Sequence, residues 1–429
     1  MKPRANLLDF DVARNQLLDF AAPPTAHATV GLQQAQGRVL AQTVTSPINV
    51  PGFDNSAMDG YALHIADMAA VPSSFAVVQR IAAGQTGEAL AANTAARIFT
   101  GAPIPEGCNI VVPQEHTTES NGSISLTQHV NLHQHIRRKG EDIAQGDTVL
   151  TCGQRMGPAQ LAMLASIGVA AVNVFRPLKV GVFFTGDELT EPGQPLAPGA
   201  IYNSNRYAIN GLLKQLGCEV SDYGIVRDSA QATRDALQQA ASENDIVMTC
   251  GGVSVGEEDH VKAAVLALGQ LDLWQISMKP GKPLAYGKVG LTNAFNTRCR
   301  WNFLQRMYGL YFTPHFHYPT LFRSAFVTFL LMARPFLLKR MGATDTALRY
   351  LTAEAAFNWP RPDRRREFLR VKLERNASGQ DTLQLWPNQG SGVMSSLAWA
   401  DGLVDLPAET QIKIGDKVQY LSISDLLNF

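Results

Sequence analysis

The sequence has few cysteines and no close pair of them. Its 429 residues include five, Cys108, Cys152, Cys218, Cys250 and Cys299, and no two form a C-x-x-C pair. This spacing argues against a structural zinc site and against a disulfide framework. The sequence therefore favours free thiols in a reducing compartment.

The sequence also lacks an excess of charge of one sign. Lys plus Arg and Asp plus Glu each total 37, which argues against nucleic-acid or anionic-membrane partners. No continuous apolar stretch of a signal peptide occurs in Met1–Phe20. The most apolar later run, Ser324–Leu338, is interrupted by Arg334 and Pro335 and is too short to span a bilayer. We expect a cytoplasmic protein whose charged ligands are held by local clusters.

The length and composition are those of a globular protein with several domains. A chain of 429 residues, 45% hydrophobic and 17% charged, predicts about three domains. An amphipathic helix is expected at 7–19, a strand at 44–50 and a helix at 158–167. Short β-like runs separated by Gly and Pro fill the stretch between them. We predict a helical/β linker domain at 1–50 and 143–177 and an inserted β-rich lobe at 51–142.

Strands and helices alternate after position 178. The expected strands are 180–184, 220–226, 245–250 and 271–276, and the expected helices are 205–216, 230–241 and 261–268. This alternation predicts a three-layer α/β/α domain with a mostly parallel sheet at 178–342. Four further short strands, at 365–373, 382–386, 402–406 and 417–421, predict a small open or barrel-like β domain at 343–429. The fold class is therefore multidomain α/β.

Acidic residues follow three of the predicted parallel strands. Their side chains are expected at one edge of the sheet, where open α/β sheets bind ligands, and they are Asp187, Glu188, Asp228 and Asp259. Two like charges about 4 Å apart cost about 4 kcal/mol at an effective dielectric constant of roughly 20. Such a cluster favours a cation, and carboxylate oxygens suit Mg²⁺. The other interpretation is a set of tight turns with solvated acids.

Two further stretches are suited to anions. Gly251–Gly256 offers backbone N–H groups before a helix but matches neither G-x-x-x-x-G-K-[ST] nor G-x-G-x-x-G. Lys279 and Lys282 follow a strand on a Pro/Gly frame and could contact phosphate or another oxyanion, or be ordinary surface lysines. Together these features indicate a Mg²⁺-dependent site for a phosphorylated ligand and a second anion.

Two lobe stretches have equally plain structural interpretations. Pro51–Ala62 reads PGFDNSAMDGYA, which on composition is a solvated turn. However, Phe53 and Met58 are large apolar residues for such a turn. The charged run Arg137–Asp142 is by itself typical of a solvated surface.

Six motifs in order resemble the molybdopterin molybdenumtransferases, the MoeA and gephyrin E-domain family. They are PGFDNSAMDGYA, TGAP (Thr100–Pro103), RRKGEDI (Arg137–Ile143), TGDEL (Thr185–Leu189), GGVSVGE-x-D (Gly251–Asp259) and KPGKP (Lys279–Pro283). The resemblance spans nearly the whole chain. It implies insertion of molybdate into adenylylated molybdopterin with Mg²⁺ and release of AMP. It also implies a homodimer whose site lies between the α/β domain of one subunit and the lobe of the other, and a possible partner in the adenylyltransferase that supplies the substrate.

The resemblance also assigns roles to individual positions. It implies catalytic roles for Asp59, Asp142, Asp228 and Lys279 and metal ligation by Glu188, Asp228 and Asp259. Substrate contacts are implied for a further set: Thr100, Asp187, Gly251, Gly252, Ser254 and Lys282. Gln275 stands where the family often has a second lysine, which removes one positive charge from the anion pocket.

A larger departure follows Gly290. The family has a G-L-P-G-N-P-V-S loop where this chain has Leu291–Arg323, 33 residues with nine aromatics and four Arg but no Asp, Glu, Lys, Val or Ile. We hypothesise a frame disruption with inserted length; a lineage-specific insertion is the rival explanation. Two other functions stay open, a molybdopterin adenylyltransferase-like enzyme and a catalytically impaired scaffold that lacks the Pro-Gly-Asn-Pro loop.

Overall fold

The computed structural model describes residues 7–250, 260–281, 283–289, 307–312, 322–390 and 393–427. The chain begins with helix α1, Phe10–Asp19. It starts later than the sequence predicts because the Asp9 carboxylate accepts the backbone N–H groups of Asp11 at 2.9 Å and Val12 at 3.2 Å, which makes Asp9 the N-cap. The buried face of α1 joins the largest apolar core of the protein.

Short elements follow as far as residue 175. In chain order they are β1 (His27–Gly31), α2 (Leu32–Ala35), β2 (Val44–Thr45), β3 (Asn55–Ser56), β4 (Gly60–Leu63), β5 (Phe75–Ile81), β6 (Thr94–Ile98), β7 (Ile110–Pro113), a 3₁₀ turn (Gln114–His116), β8 (Thr117–Ser120), β9 (Ser123–Leu126), β10 (Ile136–Arg137), β11 (Thr148–Leu150), α3 (Pro158–Ser166) and β12 (Ala171–Phe175). The strand expected at 44–50 is wrong beyond Thr45, and the remainder is irregular.

The lobe is a six-stranded sheet in the order β7-β4-β6-β5-β9-β8. Its pairings are antiparallel except for the parallel pair β5–β6. Outside the lobe, β1 pairs with β12 and β2 with β11, so segments from both sides of the lobe meet in one small unit. The lobe is therefore inserted between two segments that fold together, β1–β2 before it and β11–β12 after it.

The middle of the chain forms the parallel sheet and its helices. The elements are β13 (Lys179–Thr185), β14 (Leu189–Thr190), β15 (Ile201–Tyr202), α4 (Ser204–Leu216), β16 (Glu219–Val226), α5 (Ala230–Glu243), β17 (Ile246–Cys250), α6 (His260–Leu268), β18 (Gly269–Gln275), β19 (Met278–Lys279), β20 (Pro283–Val289), β21 (Met307–Phe312), α7 (Phe322–Thr328), a π-helical turn (Phe329–Ala333) and α8 (Arg334–Arg340). The strands lie in the order β16-β13-β17-β21-β20-β18.

Helices cover both faces of this sheet. Alternate residues of β13 point in opposite directions, so that Val182 packs with α4 while Phe183 packs with α5 and α6. Helix α4 ends at Gly217, whose left-handed φ of 87° suits glycine and stops the helix where the sequence predicts. Strand β21 lies between β17 and β20, although the segment 291–323 shows no strand pattern in the sequence.

The C-terminal region is a closed five-stranded barrel. Its elements are β22 (Leu351–Ala355), β23 (Arg366–Arg375), β24 (Asp381–Leu385), α9 (Ser395–Trp399), β25 (Gly402–Leu406), β26 (Lys417–Ser422) and α10 (Ile423–Leu427). The order β23-β24-β22-β26-β25 closes through the pairing of β25 with β23. The predicted fold class, with its parallel sheet, β-rich lobe and C-terminal barrel, is confirmed. No helix among the described residues is long and apolar enough to cross a membrane.

Candidate active site

The carboxyl ends of three parallel strands meet at one edge of the central sheet. Strand β13 pairs with β16 on one side and β17 on the other, with Thr185 opposite Val226. Beyond these ends, Oδ1 of Asp187 accepts the backbone N–H of Asp228 at 3.2 Å. The structure therefore brings together two of the acids that the sequence places in the site.

The carboxylate of Glu188, the residue after Asp187, lies against Gly186. Gly186 has a φ of 146°, and a Cβ built on it would lie 2.6 Å from Oε2 of Glu188. A side chain at 186 would therefore displace the Glu188 carboxylate as well as strain the backbone. Asp187 and Glu188 are exposed and Asp228 is half-buried, so all three remain accessible to a ligand.

The other predicted residues of this edge fall on stretches that the structure does not describe. Gly251, Gly252, Ser254, Asp259 and Lys282 lie outside the described residues. Within the described ranges, no three His, Cys, Asp or Glu side chains are grouped closely enough to hold a metal ion. A metal at this edge would therefore need Asp259 or ligand oxygens to complete its coordination.

Asp59 and Thr100 form a second cluster, in the lobe. Oδ1 of Asp59 accepts both the backbone N–H of Thr100 at 2.8 Å and its hydroxyl at 3.0 Å. These bonds, the backbone one first, lower the pKa of the exposed Asp59 carboxyl, and the charge of Arg97 acts in the same direction. Asp59 is therefore held as a fixed, ionised carboxylate on the lobe surface.

Arg97 is a neighbour of Asp59 that the sequence did not reveal. Its guanidinium donates to the backbone carbonyl of Gly60 at 3.2 Å and to the Gln114 side chain at 2.5 Å. It also lies 5.0 Å from the ring centroids of both Tyr61 and Phe99. The available signal was a single cation in β6, three residues before Thr100.

Asp142 does not join the pair of Asp59 and Thr100. It is exposed and lines an open cleft of about 570 Å³ together with Asp147, Thr148 and Ser166. Its backbone N–H donates to the carbonyl of Val50 at 3.1 Å, which anchors the loop. No hydrogen bond or ion pair joins the Asp142 side chain to Asp59, both of which lie in the described part of the chain.

The lobe cluster and the sheet-edge cluster are not joined within the chain. Asp59 and Thr100 bond to each other, and no hydrogen bond or ion pair of the lobe residues 51–142, all described, reaches the described residues of the α/β sheet. Phe53 and Met58, in the loop before Asp59, are 50% and 38% exposed. The lobe thus presents its predicted site residues beside uncovered apolar side chains.

Lys279 lies between the central domain and the barrel. Strand β19 pairs in parallel with β23, which sets Lys279 opposite Glu367. Its Nζ lies 2.8 Å from Oε1 of Glu367 and 3.2 Å from Oδ2 of Asp363. Partial burial alone would lower the pKa of Lys279, but the bonds and charges of these two carboxylates outweigh it and raise the pKa. The lysine is therefore a firmly charged ammonium.

The barrel also holds a buried arginine that the sequence did not reveal. Arg370 is 0% exposed, and its Nη2 donates to the carbonyl of Asn388 at 2.7 Å. Its Nε and Nη1 have no hydrogen-bond partner among the described residues. Burial lowers the pKa of Arg370 to about 10, which still leaves it protonated at neutral pH. The sequence signal for this burial was an arginine at a position of β23 where the strand pattern predicts an apolar residue.

Comparisons with known proteins cover the whole length of this architecture. Three family models match in order: "MoeA N-terminal region (domain I and II)" over residues 8–168, "Probable molybdopterin binding domain" over 181–308 and "MoeA C-terminal region (domain IV)" over 352–423. A molybdopterin molybdenumtransferase of Haemophilus influenzae is 37% identical over 98% of this chain and 100% of its own length. The chain belongs to the molybdopterin molybdenumtransferase (MoeA) family.

Other members of this family agree in sequence and in structure. Molybdopterin molybdenumtransferase 2 of Mycobacterium tuberculosis is 33% identical over 91% of this chain and 94% of its own length. The crystal structure of a molybdopterin biosynthesis moeA protein from Pyrococcus horikoshii superposes with a TM-score of 0.79 at 27% identity, over 97% of this chain and 100% of that one. The resemblance inferred from the six motifs is confirmed.

Proposed function

We propose that this chain is a transferase that moves molybdenum from molybdate onto adenylylated molybdopterin, releasing AMP and forming molybdenum cofactor. Support comes from membership of the molybdopterin molybdenumtransferase family over the whole chain length. The single observation that carries the site is the meeting of Asp187 and Asp228 at the carboxyl ends of adjacent parallel strands. This edge is where the pterin phosphate and its adenylate would bind.

Mg²⁺ is the metal that the donor set suits. Carboxylate oxygens of Glu188 and Asp228 are ligands it accepts, and Asp259 with substrate phosphate oxygens would complete the coordination. When bound, Mg²⁺ would offset the negative charge of the phosphates that link the pterin to AMP. The protein's own residues orient that linkage: Asp187 fixes the backbone of Asp228, and Gly186 leaves room for the Glu188 carboxylate.

Molybdate, as the second substrate, requires cationic donors. Lys279 and Lys282 are expected to supply them. Lys279 lies at the junction of the α/β domain and the barrel, opposite Glu367 of β23, and we assign it to the oxyanion subsite. Arg370 is three positions along β23 from Glu367 and so lies on the opposite face of that strand.

A second subunit would complete the site. The ionised Asp59, held by Thr100, makes no hydrogen bond or ion pair with the described residues of the sheet edge in its own chain. Phe53, six residues earlier in the same loop, is 50% exposed. A homodimer that docks each lobe on the other chain's sheet edge would cover this apolar side chain and unite the two clusters. Asp142 belongs to the same proposal as a site residue.

The proposed function also implies a partner enzyme and a cellular location. An adenylyltransferase must supply the adenylylated molybdopterin, and we include direct delivery of the substrate by that enzyme in the proposal. The four cysteines among the described residues are free, which supports a reducing, cytoplasmic location. The equal numbers of acidic and basic residues support the absence of nucleic-acid and membrane partners.

The proposal is tested by supplying the purified chain with adenylylated molybdopterin, molybdate and Mg²⁺. We expect AMP to be released together with activation of a cofactor-free molybdenum enzyme, and Asp59→Asn and Asp228→Ala to abolish both while retaining the folded structure. Asp235→Asn is the matched control, because this carboxylate of α5 is exposed and, among the described residues, accepts a hydrogen bond from Gln231 alone. Full loading by either site variant would refute its role.

The same assay separates the other two functions. An adenylyltransferase would consume ATP and form adenylylated molybdopterin, whereas a scaffold would bind adenylylated molybdopterin without inserting metal. Neither is favoured, because the relatives that match over the whole chain are named molybdenumtransferases.

A further inference from the structure

A buried carboxylate of the barrel, Glu367, forms an ion pair with Lys279, the lysine that the proposed function places at molybdate. Glu367 is 2% exposed, and its Oε1 lies 2.8 Å from Nζ of Lys279. Its other oxygen, Oε2, accepts the indole N–H of Trp359 at 3.0 Å. Both oxygens of this carboxylate therefore have a fixed donor.

This contact is set by the backbone as well as by the side chains. The parallel pairing of β19 with β23 places Lys279 directly opposite Glu367, so the two domains cannot shift without breaking it. A carboxylate with so little exposure is costly to bury unless it is bonded and neutralised. The ion pair with Lys279 and the bond from Trp359 together meet that requirement.

Donor counting shows what the arrangement leaves for a ligand. A lysine ammonium has three N–H donors and no acceptor. Glu367 and Asp363 take two of them, and the Lys279 side chain is still 39% exposed. One donor of an otherwise immobilised cation therefore remains for an oxyanion.

The two carboxylates differ in how strongly they depend on Lys279. Asp363 also binds the guanidinium of Arg365, at 3.2 Å from Nε, and is 23% exposed. Water and Arg365 can compensate Asp363 when the lysine turns away, whereas the described contacts give the buried Glu367 only Lys279 as a cation. Glu367 is thus the residue that fixes the lysine.

We propose that Glu367 is a positioning residue for molybdenum transfer, which holds Lys279 so that its third N–H faces molybdate. Trp359 in turn holds Glu367. This inference rests on the proposed function, and it makes the C-terminal barrel part of the anion subsite through an acidic residue that never touches the anion.

The test measures molybdate binding by titration calorimetry to the full chain with adenylylated molybdopterin and Mg²⁺ present. Glu367→Gln removes the charge at nearly constant shape, and we expect the molybdate Kd to rise about tenfold, as for loss of one charge-assisted contact. In a Lys279→Met background the same substitution is expected to change nothing further, because Glu367 acts through the lysine. Glu354→Gln is the matched control, since this barrel carboxylate pairs with Lys417 at 3.0 Å away from the site.

Each outcome is decisive. An unchanged Kd in Glu367→Gln, or an equal loss in the Lys279→Met background, overturns the positioning role and leaves the proposed function standing. Absence of molybdate binding by the unaltered chain overturns the proposed function itself. If Glu367→Gln does not fold, Trp359→Phe removes one hydrogen bond to Glu367 and leaves the charge of Glu367 in place. A smaller rise in the molybdate Kd that vanishes in the Lys279→Met background supports the positioning role of Glu367. An unchanged Kd overturns it.

Discussion

Thr100 donates two hydrogen bonds to one oxygen of Asp59, from its backbone N–H at 2.8 Å and from its hydroxyl at 3.0 Å. The two residues are 41 positions apart. Asp59 directly precedes β4 and Thr100 lies two residues after β6, and these strands are antiparallel neighbours. The lobe sheet therefore builds a carboxylate whose ionised form and orientation are both set before any ligand arrives.

This pair predicts how the Asp59 pKa responds to Thr100→Val. The backbone bond, the largest cause of the lowered pKa, is retained, while the hydroxyl bond is lost. We expect the Asp59 pKa to rise but to stay below its ordinary value, measured by carboxyl ¹³C NMR titration. Thr118→Val, on the exposed edge strand β8, is the control. An unchanged Asp59 pKa in Thr100→Val would contradict the role of the hydroxyl.

Arg370 is expected to oppose stability. Its Nε and Nη1 are buried and have no hydrogen-bond partner among the described residues, and an unsatisfied buried polar group costs about 1–3 kcal/mol. Arg370→Met should therefore raise the free energy of unfolding, measured by urea titration. Arg375→Met, which alters an exposed arginine paired with Asp381, should leave this free energy almost unchanged. Destabilisation of Arg370→Met would show that the guanidinium is satisfied by the protein itself.

Asp363 predicts a loss of stability in acid. Partial burial alone would raise its pKa, but the bonds from Arg365 and Lys279 lower it to about 2. Because the folded pKa lies below the unfolded one, its stabilisation is present above the ordinary carboxyl range and is lost as the pH falls towards 2. We expect Asp363→Asn to remove this part of the pH dependence of the free energy of unfolding. Urea titrations from about pH 5 to about pH 2 measure it, because this range brackets the folded and unfolded pKa values of Asp363. The same acid-induced loss in the variant would rule out Asp363 as its source.

The stretch between β21 and α7 predicts a gain of function on replacement. A variant with the family's Gly-Leu-Pro-Gly-Asn-Pro loop in place of residues 313–321 keeps β21 paired in the sheet. It should load molybdenum faster, because a rigid Pro/Gly turn presents backbone N–H groups at the sheet edge. A Gly/Ser loop of the same length is the control for shortening alone. Equal loading by the unaltered chain would mean that the loop is dispensable. Recovery of the aromatic peptides from native cells would contradict the frame-disruption hypothesis.

The fold could be predicted from the sequence where the hydrophobic periodicity and the Gly or Pro residues that end an element agree. The parallel strands were found because each apolar run is followed by an amphipathic helix, and Gly217 ended α4 as expected. Strand β21 was not predicted, because its pairing between β17 and β20 depends on neighbours rather than on its own pattern. The late start of α1 was missed because Asp9 acts as a cap.

The site was predictable where residues follow strand ends and hidden where it depends on distant pairing. Asp187 and Asp228 could be placed together because parallel strands end at one edge. The ion pair of Glu367 with Lys279 joins residues 88 positions apart in two domains, and no local sequence pattern predicts it. Arg370 was hidden for the same reason, since its environment is created by the loop at Asn388.

The proposed site of molybdenum transfer unites Asp59 of one subunit with Asp228 of the other. Its most direct test is molybdenum loading by dimers formed by refolding or co-expressing Asp59→Asn and Asp228→Ala chains together. Random pairing gives mixed dimers with one intact site of two, so about a quarter of the unaltered loading should return although each variant alone is inactive. Absence of any recovery in demonstrably mixed dimers would contradict the shared site.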